Sequence, residues 1–489
     1  MYARTEREGK FWKIITNEHE HTCVRRAEDF THDNLTAEVI ANCITNAVKR
    51  DVGISLPDVK SLLEKEYPNV VPTYNKIWRG RERAIEHLFG SWEDSYNKLP
   101  SLLLAIQRTT PDTQIKWLFK SVGDPNRAMF EAAAWAFGPC IAAVPYIRPV
   151  ISIDASFLSG RYKGKFLAAC GYDPEQRLVP LAFALVRTED ETCWGWFMKF
   201  LREQVVGLKK FCVVSDRYWR IRNMFKRPQY RWQKSAEPAL AVHRYCMQHL
   251  CENVYKVSGK EKGIPHKFRN KLANKKKKRS FMKMWDELRV TNPEVIDYLK
   301  KCGKENETDT NERMRPERWA QTFDTGARWG LMTSNGSESL NSRYKVERRL
   351  PVVGLVEGTW YKTVQWFNER KQMALGRQAD GERWPKEMQL KVMKHTLKAA
   401  LMTVVTIDVE RGEFEVQVPN EKDFPGRTWK YKVLINRNYQ PEDPQLPTRR
   451  VTCKCQKPQL TGIPCAHVVA ICGTYRWEVN EFIDPLYST

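Results

Sequence analysis

The sequence predicts a mixed α/β protein with a helical N-terminal domain and a β-rich, metal-binding C-terminal domain. Three observations predict it. Short apolar runs at 150–154 (VISID) and 211–216 (FCVVSD) are too short for typical helices, and each ends on a carboxylate. Segments with apolar residues at helical spacing surround them, Glu191 to Val206 and Leu355 to Lys371 among them. Near the C-terminus, Cys453, Cys455, Cys465 and His467 form two close pairs, Cys-x-Cys and Cys-x-His.

The chain has 489 residues, enough for three or more domains. Hydrophobic residues make up 42%, with 17 Trp, so a sizeable core can form. Lys and Arg number 81 against 58 Asp and Glu, a formal charge of +23. That excess favours a polyanionic partner, nucleic acid first. No run of about 18 apolar residues predicts a membrane span, and MYARTEREGKFWK lacks the apolar core of a secretory signal. The 13 Cys are odd in number and scattered except near the C-terminus, a pattern of free thiols plus a metal site.

Residues 1–30 are polar and carry His19, His21 and Cys23, which supply half of a zinc site or lie in a loop. Residues 34–90 predict three helices. Asn34, Ser55 and Thr73 are their expected caps, with Pro57 in the first turn of the second. The third has a basic face with Lys76, Arg79, Arg81 and Arg83, which fits either a helix-turn-helix or a bundle with a solvated face.

The apolar run at 149–154 is expected to be a central strand with Asp154 at its exit. KFLAACGYD and LVPLAFALV follow as a meander, with Pro180 placing the last run at an edge or starting it later. Trp194, Trp196, Phe197 and Phe200 are expected in the core of the 191–206 helix. FCVVSD and ALAVHRYC supply two further strands. Cys246 and His249 then stand three apart at a helix start, where they share a metal or brace a core. Residues 258–325 read as a basic α-helical insertion. Its run Lys275, Lys276, Lys277, Lys278 and Arg279 suits phosphate contacts, nuclear import or a solvated face. Ser334 or Asn335 is placed to cap a helix with Glu338 in its first turn. In the C-terminal region, MTVVTIDV, EFEVQV and WKYKVLIN alternate as strands before the Cys/His pairs, whose spacing suits tetrahedral zinc.

Asp154, Asp216 and Glu338 are three carboxylates at element ends. Brought into one pocket they repel unless cations lie between them, and hard oxygen ligands of this kind hold Mg²⁺ or Mn²⁺. Two such ions stabilise both attacking and leaving oxygens in phosphodiester exchange.

SIDASFLSGRYKGKFLAACGYD, LVPLAFALV with ETCWGWF, VVSDR, HRYCMQHLCENV and TSNGSESLNSRYKVERRLP resemble, in that order, the blocks of Mutator-like (MULE) DDE transposases. CKC…CAH resembles a SWIM-type zinc finger at all four ligands, and FWKIITNEHEHTC resembles the tail of a WRKY/GCM-type finger without its upstream Cys pair. The resemblance implies an RNase H-like catalytic core interrupted by an α-helical insertion. It implies Asp154, Asp216 and Glu338 as a catalytic triad holding two Mg²⁺ or Mn²⁺ ions, and Cys246 and His249 as supporting residues. The expected organisation is a finger remnant at 1–30, a helical DNA-binding domain at 31–145 and a catalytic core at 146–257 and 326–375. The insertion spans 258–325, a linker helix 376–400, and the β-rich zinc domain 401–489. The implied function is metal-dependent cleavage and strand transfer in the nucleus, by a homo-oligomer on double-stranded DNA bearing transposon terminal inverted repeats. Arg79, Arg83 and Lys275 to Arg279 are the expected DNA contacts. The alternative is a domesticated, transposase-derived transcription regulator that binds DNA without transposing it.

Overall fold

The computed structural model describes residues 2–5, 12–16, 34–68, 70, 72–124, 128–207, 209–225, 227–230, 232, 241–260, 263–301, 316–382, 384–419, 428–437 and 450–488. His19, His21 and Cys23, on which the N-terminal finger expectation rested, lie outside them. The chain divides into two compact units, 1–94 and 95–489.

The first unit contains an antiparallel strand pair, β1 (Tyr2–Thr5) and β2 (Trp12–Thr16), and the three expected helices. These are α1 (Ala37–Arg50), α2 (Leu56–Glu66) and α3 (Tyr74–Phe89). Ser55 and Thr73 cap α2 and α3 as expected. Thr36, not Asn34, caps α1, because it is the extended residue directly before the helix and its hydroxyl accepts the Val39 N–H. A Cβ on Gly80 would lie 2.2 Å from Ile40 Cγ2, so α1 and α3 meet at a contact only glycine permits.

The second unit holds α4 (Trp92–Thr109) from Ser95 onward and then builds one seven-stranded sheet. Along the chain come β3 (Gln114–Ser121), β4 (Ala128–Ala136), the short α5 (Gly138–Ala142), β5 (Val150–Phe157), β6 (Lys165–Tyr172) and β7 (Leu178–Val186). Then follow α6 (Glu191–Phe200), β8 (Phe211–Ser215), α7 (Trp219–Met224) and β9 (Ala241–Tyr245). The spatial order is β3-β4-β7-β6-β5-β8-β9. β5, β8 and β9 are mutually parallel and the other pairings antiparallel.

The LVPLAFALV run is neither an edge strand nor a strand that starts after Pro180. β7 begins before Pro180 and is an internal strand, between β4 and β6. The proline is tolerated because β4 pairs with β7 only from Phe183 onward, and the β6 register shifts by a bulge at Ala169/Cys170, opposite Pro180.

Both faces of the sheet are covered. Trp194, Phe197 and Phe200 of α6 bury one face as expected, joined by Leu201 of its continuation, whereas Trp196 is only half-buried against them. The other is buried by Leu99, Leu103 and Ile106 of α4 together with Leu340, Tyr344, Val352 and Leu355. Those last residues belong to two later helices, so the chain returns to this sheet after a helical excursion. The excursion contains α8 (Met247–Val257), α9 (Gly263–His266), α10 (Lys278–Thr291) and α11 (Pro293–Lys301). It packs its own core around Phe268, Phe281 and Trp319. The return is made by α12 (Asn335–Arg343) and α13 (Val352–Ala379), the latter longer at both ends than the expected 355–371. After α14 (Lys386–Ala399) comes a meander, β10 (Thr403–Asp408), β11 (Glu413–Pro419), β12 (Thr428–Ile435) and β13 (Val451–Cys453). It is closed by α15 (Lys457–Thr461) and α16 (Ala466–Tyr475). Val150 and Val214 of the large sheet share an apolar cluster with Trp329, Ile463, Ile483 and Tyr487, so the C-terminal region packs back onto the strands that carry the candidate site. Among the described residues no helix is long and apolar enough to cross a membrane.

Candidate metal centres and basic surfaces

Asp154 occupies the fifth position of β5, where burial begins to give way to solvent. Asp216 directly follows β8. The parallel register ends at Ser152 and Val214; Asp154 and Asp216 each follow two residues later and are near enough for the Asp216 charge to act on Asp154. Burial pushes the Asp154 carboxyl up to about 6; the Asn341 hydrogen bond opposes this and the charge of Asp216 adds to it. Asp216 is raised too, chiefly by burial, while the Tyr218 N–H bonded to its carboxylate works the other way.

Glu338 arrives on α12, which is fastened to the sheet by local features of TSNGSESLN. Ser337 Oγ is 2.7 Å from Ser152 Oγ on β5, and Ser152 also donates to the Ser334 carbonyl. A Cβ on Gly336 would fall 2.2 Å from the Tyr172 hydroxyl, so the first turn of α12 lies directly against β6. Asn341 Nδ2 donates to Asp154 Oδ2 at 2.9 Å, and Arg348 donates to the carbonyls of Asn341 and Phe157. Sequence reasoning assigned no role to Ser152, Gly336, Ser337, Asn341 or Arg348. The only signal was the density of small polar residues around Glu338.

The nearest metal-capable neighbours of Glu338 are Cys246 and His249. Their ligand atoms and a Glu338 oxygen lie within 4.8 Å of one another, and the carboxylates of Asp154 and Asp216 are not in that group. Cys246 precedes α8 and accepts the Ser334 N–H at 3.2 Å. Burial would raise its thiol, but hydrogen bonds from His249 and Ser334 outweigh it and hold the thiol below its usual range. His249 goes up to about 9, first through its hydrogen bond with Cys246, then through the charges of Cys246, Glu338 and Asp216. Asp154 feels the same imidazolium. The Cys-x-x-His pair thus adjoins Glu338, and the His249 charge also acts on Asp154 and Asp216.

In the C-terminal region, Cys453 ends β13, Cys455 follows in the turn, Cys465 precedes α16 and His467 lies in its first turn. Their four donor atoms lie within 4.8 Å of one another, with His467 Nδ1 3.4 Å from Cys453 Sγ and 3.6 Å from Cys465 Sγ. The thiols crowd so closely that hydrogen bonds from Cys453 and Cys465 lower Cys455, while the bond to Cys455 raises Cys453. Three sulfurs and an imidazole so placed suit one tetrahedral zinc ion. The His467 ring is stacked on Tyr431, centroids 4.0 Å apart.

Of the expected DNA contacts, Arg79 is exposed on α3. Arg83 is exposed too but engaged, 3.4 Å from Glu38 and 3.1 Å from Glu86. Lys275 to Lys277 form the loop before α10, and Lys278 and Arg279 start that helix.

No curated protein matches the chain. Adjacent parallel strands with Asp154 within one and Asp216 just past the other, then β9 and a Cys-x-x-His at the start of α8, occupy the stretch from β5 into α8. This is the stretch where the chain is similar to a known family: residues 150–253 match the MULE transposase domain, so the protein is related to Mutator-like transposases over that segment.

Proposed function

We propose that the protein is a DNA transposase of the Mutator-like class, cutting and joining DNA strands at transposon ends. The observation that carries this reading is the proximity of Asp154 on β5 and Asp216 just past the adjacent parallel β8, with the Glu338 helix packed on the same sheet. The strand order β7-β6-β5-β8-β9, with three antiparallel strands followed by two parallel ones, supports an RNase H-like core. The α8–α11 excursion between β9 and α12 supports an insertion in that core.

The donor set fits a hard divalent cation. Asp154 and Asp216 are carboxylates whose burial disfavours their charged form, a cost that a bound cation offsets. Asp154, Asp216 and Glu338 would hold Mg²⁺ or Mn²⁺, which supplies charge stabilisation at the attacking and leaving oxygens of a phosphodiester. Asn341 holds one Asp154 oxygen and leaves the other for a ligand. Arg348 in turn fixes the Asn341 backbone. Ser334 Oγ donates to Glu338 Oε1 at 3.1 Å and orients that carboxylate. Cys246 and His249 position Glu338, and the imidazolium balances negative charge where a cation would sit.

The partner is double-stranded DNA, reached in the nucleus, with terminal inverted repeats as substrate and a homo-oligomer as the working form. Arg79 and Arg83 are proposed for base readout in the major groove, and the zinc-loaded C-terminal module for structural support. The test is strand cleavage by the purified full chain on duplexes carrying the sequences that flank its own gene. Mg²⁺-dependent nicking at the element boundary supports the reading. Sequence-selective binding with no cleavage in Mg²⁺ or Mn²⁺ would replace it with a DNA-binding regulator.

A further inference from the structure

A cavity of about 400 Å³ lies between the loop before α10 and the Cys/His module. Lys276, Lys278 and Thr322 line one side, and Thr452, Lys454 and Gln456 the other. Among the described residues, no carboxylate lines it. Among the described residues, no carboxylate lies within ion-pair distance of Lys276 or Lys278, and Lys454 acts on Glu415 only through its charge. Lys276 is partly buried; loss of water and repulsion from Lys457 hold its ammonium below the usual range. Lys278 and Lys454 are exposed beside it, and the Cys455 and Cys465 sulfurs offset part of the Lys276 repulsion, so three ammonium groups border a cavity with room for an anion from solvent.

The walls are held in place. Thr322 donates to the Lys276 carbonyl at 3.1 Å. Lys277 lies over the Tyr431 ring at 4.8 Å, the same ring that stacks on His467. Lys454 is fixed between Cys453 and Cys455, and Gln459 donates to the Cys453 carbonyl at 3.0 Å. The two sides are far apart in sequence and are brought together by the fold. Ammonium, hydroxyl and amide groups converging without a carboxylate match the oxygens of a phosphate.

We propose that this pocket grips a backbone phosphate of bound DNA, so that the excursion and the Cys/His module form one composite phosphate site. The proposal rests on the DNA-handling reading above and adds to it a specific contact. It also divides the basic run: Lys276, Lys277 and Lys278 line the site, with Lys277 turned over the Tyr431 ring, whereas Lys275 and Arg279 are not among its lining residues.

The test is a salt series of duplex binding by the full zinc-loaded chain. Each phosphate contact contributes about 0.9 to the slope of log K against log salt. Replacing Lys276, Lys278 and Lys454 together by Ala should flatten the slope by about 1 to 3 and weaken all duplexes alike. Replacing the exposed Lys371, Lys394 and Lys398 by Ala removes the same charge elsewhere and should leave the slope unchanged. The triple Lys→Arg variant should restore the slope, which separates lost contacts from lost folding; zinc content checks the module. An unchanged slope in the pocket variant, with wild type binding DNA normally, overturns the pocket and leaves the transposase reading intact. Wild type that binds no duplex overturns both. If inorganic phosphate binding, followed by ³¹P resonance, is lost in the pocket variant while the DNA slope is kept, the site serves a free phosphate and the proposal fails.

Discussion

Asn341 and Asp154 are 187 residues apart in sequence, and the Asn341 amide donates to the Asp154 carboxylate at 2.9 Å. This bond ties the α12 helix to the strand that carries the first aspartate. The position of Glu338, one turn earlier on the same helix, is thereby coupled to that of Asp154.

Asp154→Asn and Asp216→Asn should each abolish Mg²⁺-dependent strand cleavage with little loss of DNA binding. Each change removes a ligand charge and keeps the shape. Gel assays of cleavage and binding on the same duplex check this. Two variants that cleave normally would end the triad assignment.

Asp154 holds its proton more tightly in the fold than in the unfolded chain, because burial raises it to about 6. Its ionised form therefore destabilises the metal-free protein above about pH 6, and the penalty fades as pH falls toward the unfolded value of 3.8. Metal-free Asp154→Asn should melt at or above wild type at pH 8, with the difference shrinking at pH 5. Mn²⁺ affinity of the wild type should fall about tenfold per unit below pH 6. Thermal melts and metal titrations at both pH values test the sign.

Asn341→Leu should lower cleavage by an order of magnitude or more while DNA affinity stays near wild type, since it removes the group that orients Asp154. Asn341→Ser, which keeps a donor, should recover part of the rate. Equal losses in both variants would reduce Asn341 to a packing role.

Gly336→Ala should destabilise the second unit by about 1–3 kcal/mol, because the new methyl must displace the Tyr172 hydroxyl or the start of α12. Tyr172→Phe in the same background should relieve part of the strain. Urea denaturation of the single and double variants gives both numbers.

One zinc per chain is expected, held by Cys453, Cys455, Cys465 and His467. Metal binding supplies much of the folding energy of so small a module. Chelation, or Cys453→Ser, should expose the 450–488 segment to protease while the large sheet stays protected. Elemental analysis with limited proteolysis reads both. A module that stays protected without zinc would contradict the assignment.

Much of this architecture was legible in local sequence. Apolar runs such as VISID and FCVVSD place buried strands because β-formers of that length cannot close a stable helix. The caps at Ser55 and Thr73 follow from one side chain and the N–H three residues on. The Cys-x-Cys and Cys-x-His pairs are close in sequence, so their convergence needs one turn of chain and little else. The tertiary structure decided what depends on contacts between distant segments. Pro180 sits inside an internal strand because its neighbour β4 stops short of it, which no property of the LVPLAFALV run reveals. Arg83 is engaged by Glu38 of another helix, and Gly336 is required by a tyrosine on β6. Glu338 lies against Cys246 and His249 because α12 returns to the sheet beside the start of α8. Local propensity acts over a few residues, whereas these pairings depend on how α12, the strands and the Cys/His module pack, and so they appear only when the chain is folded.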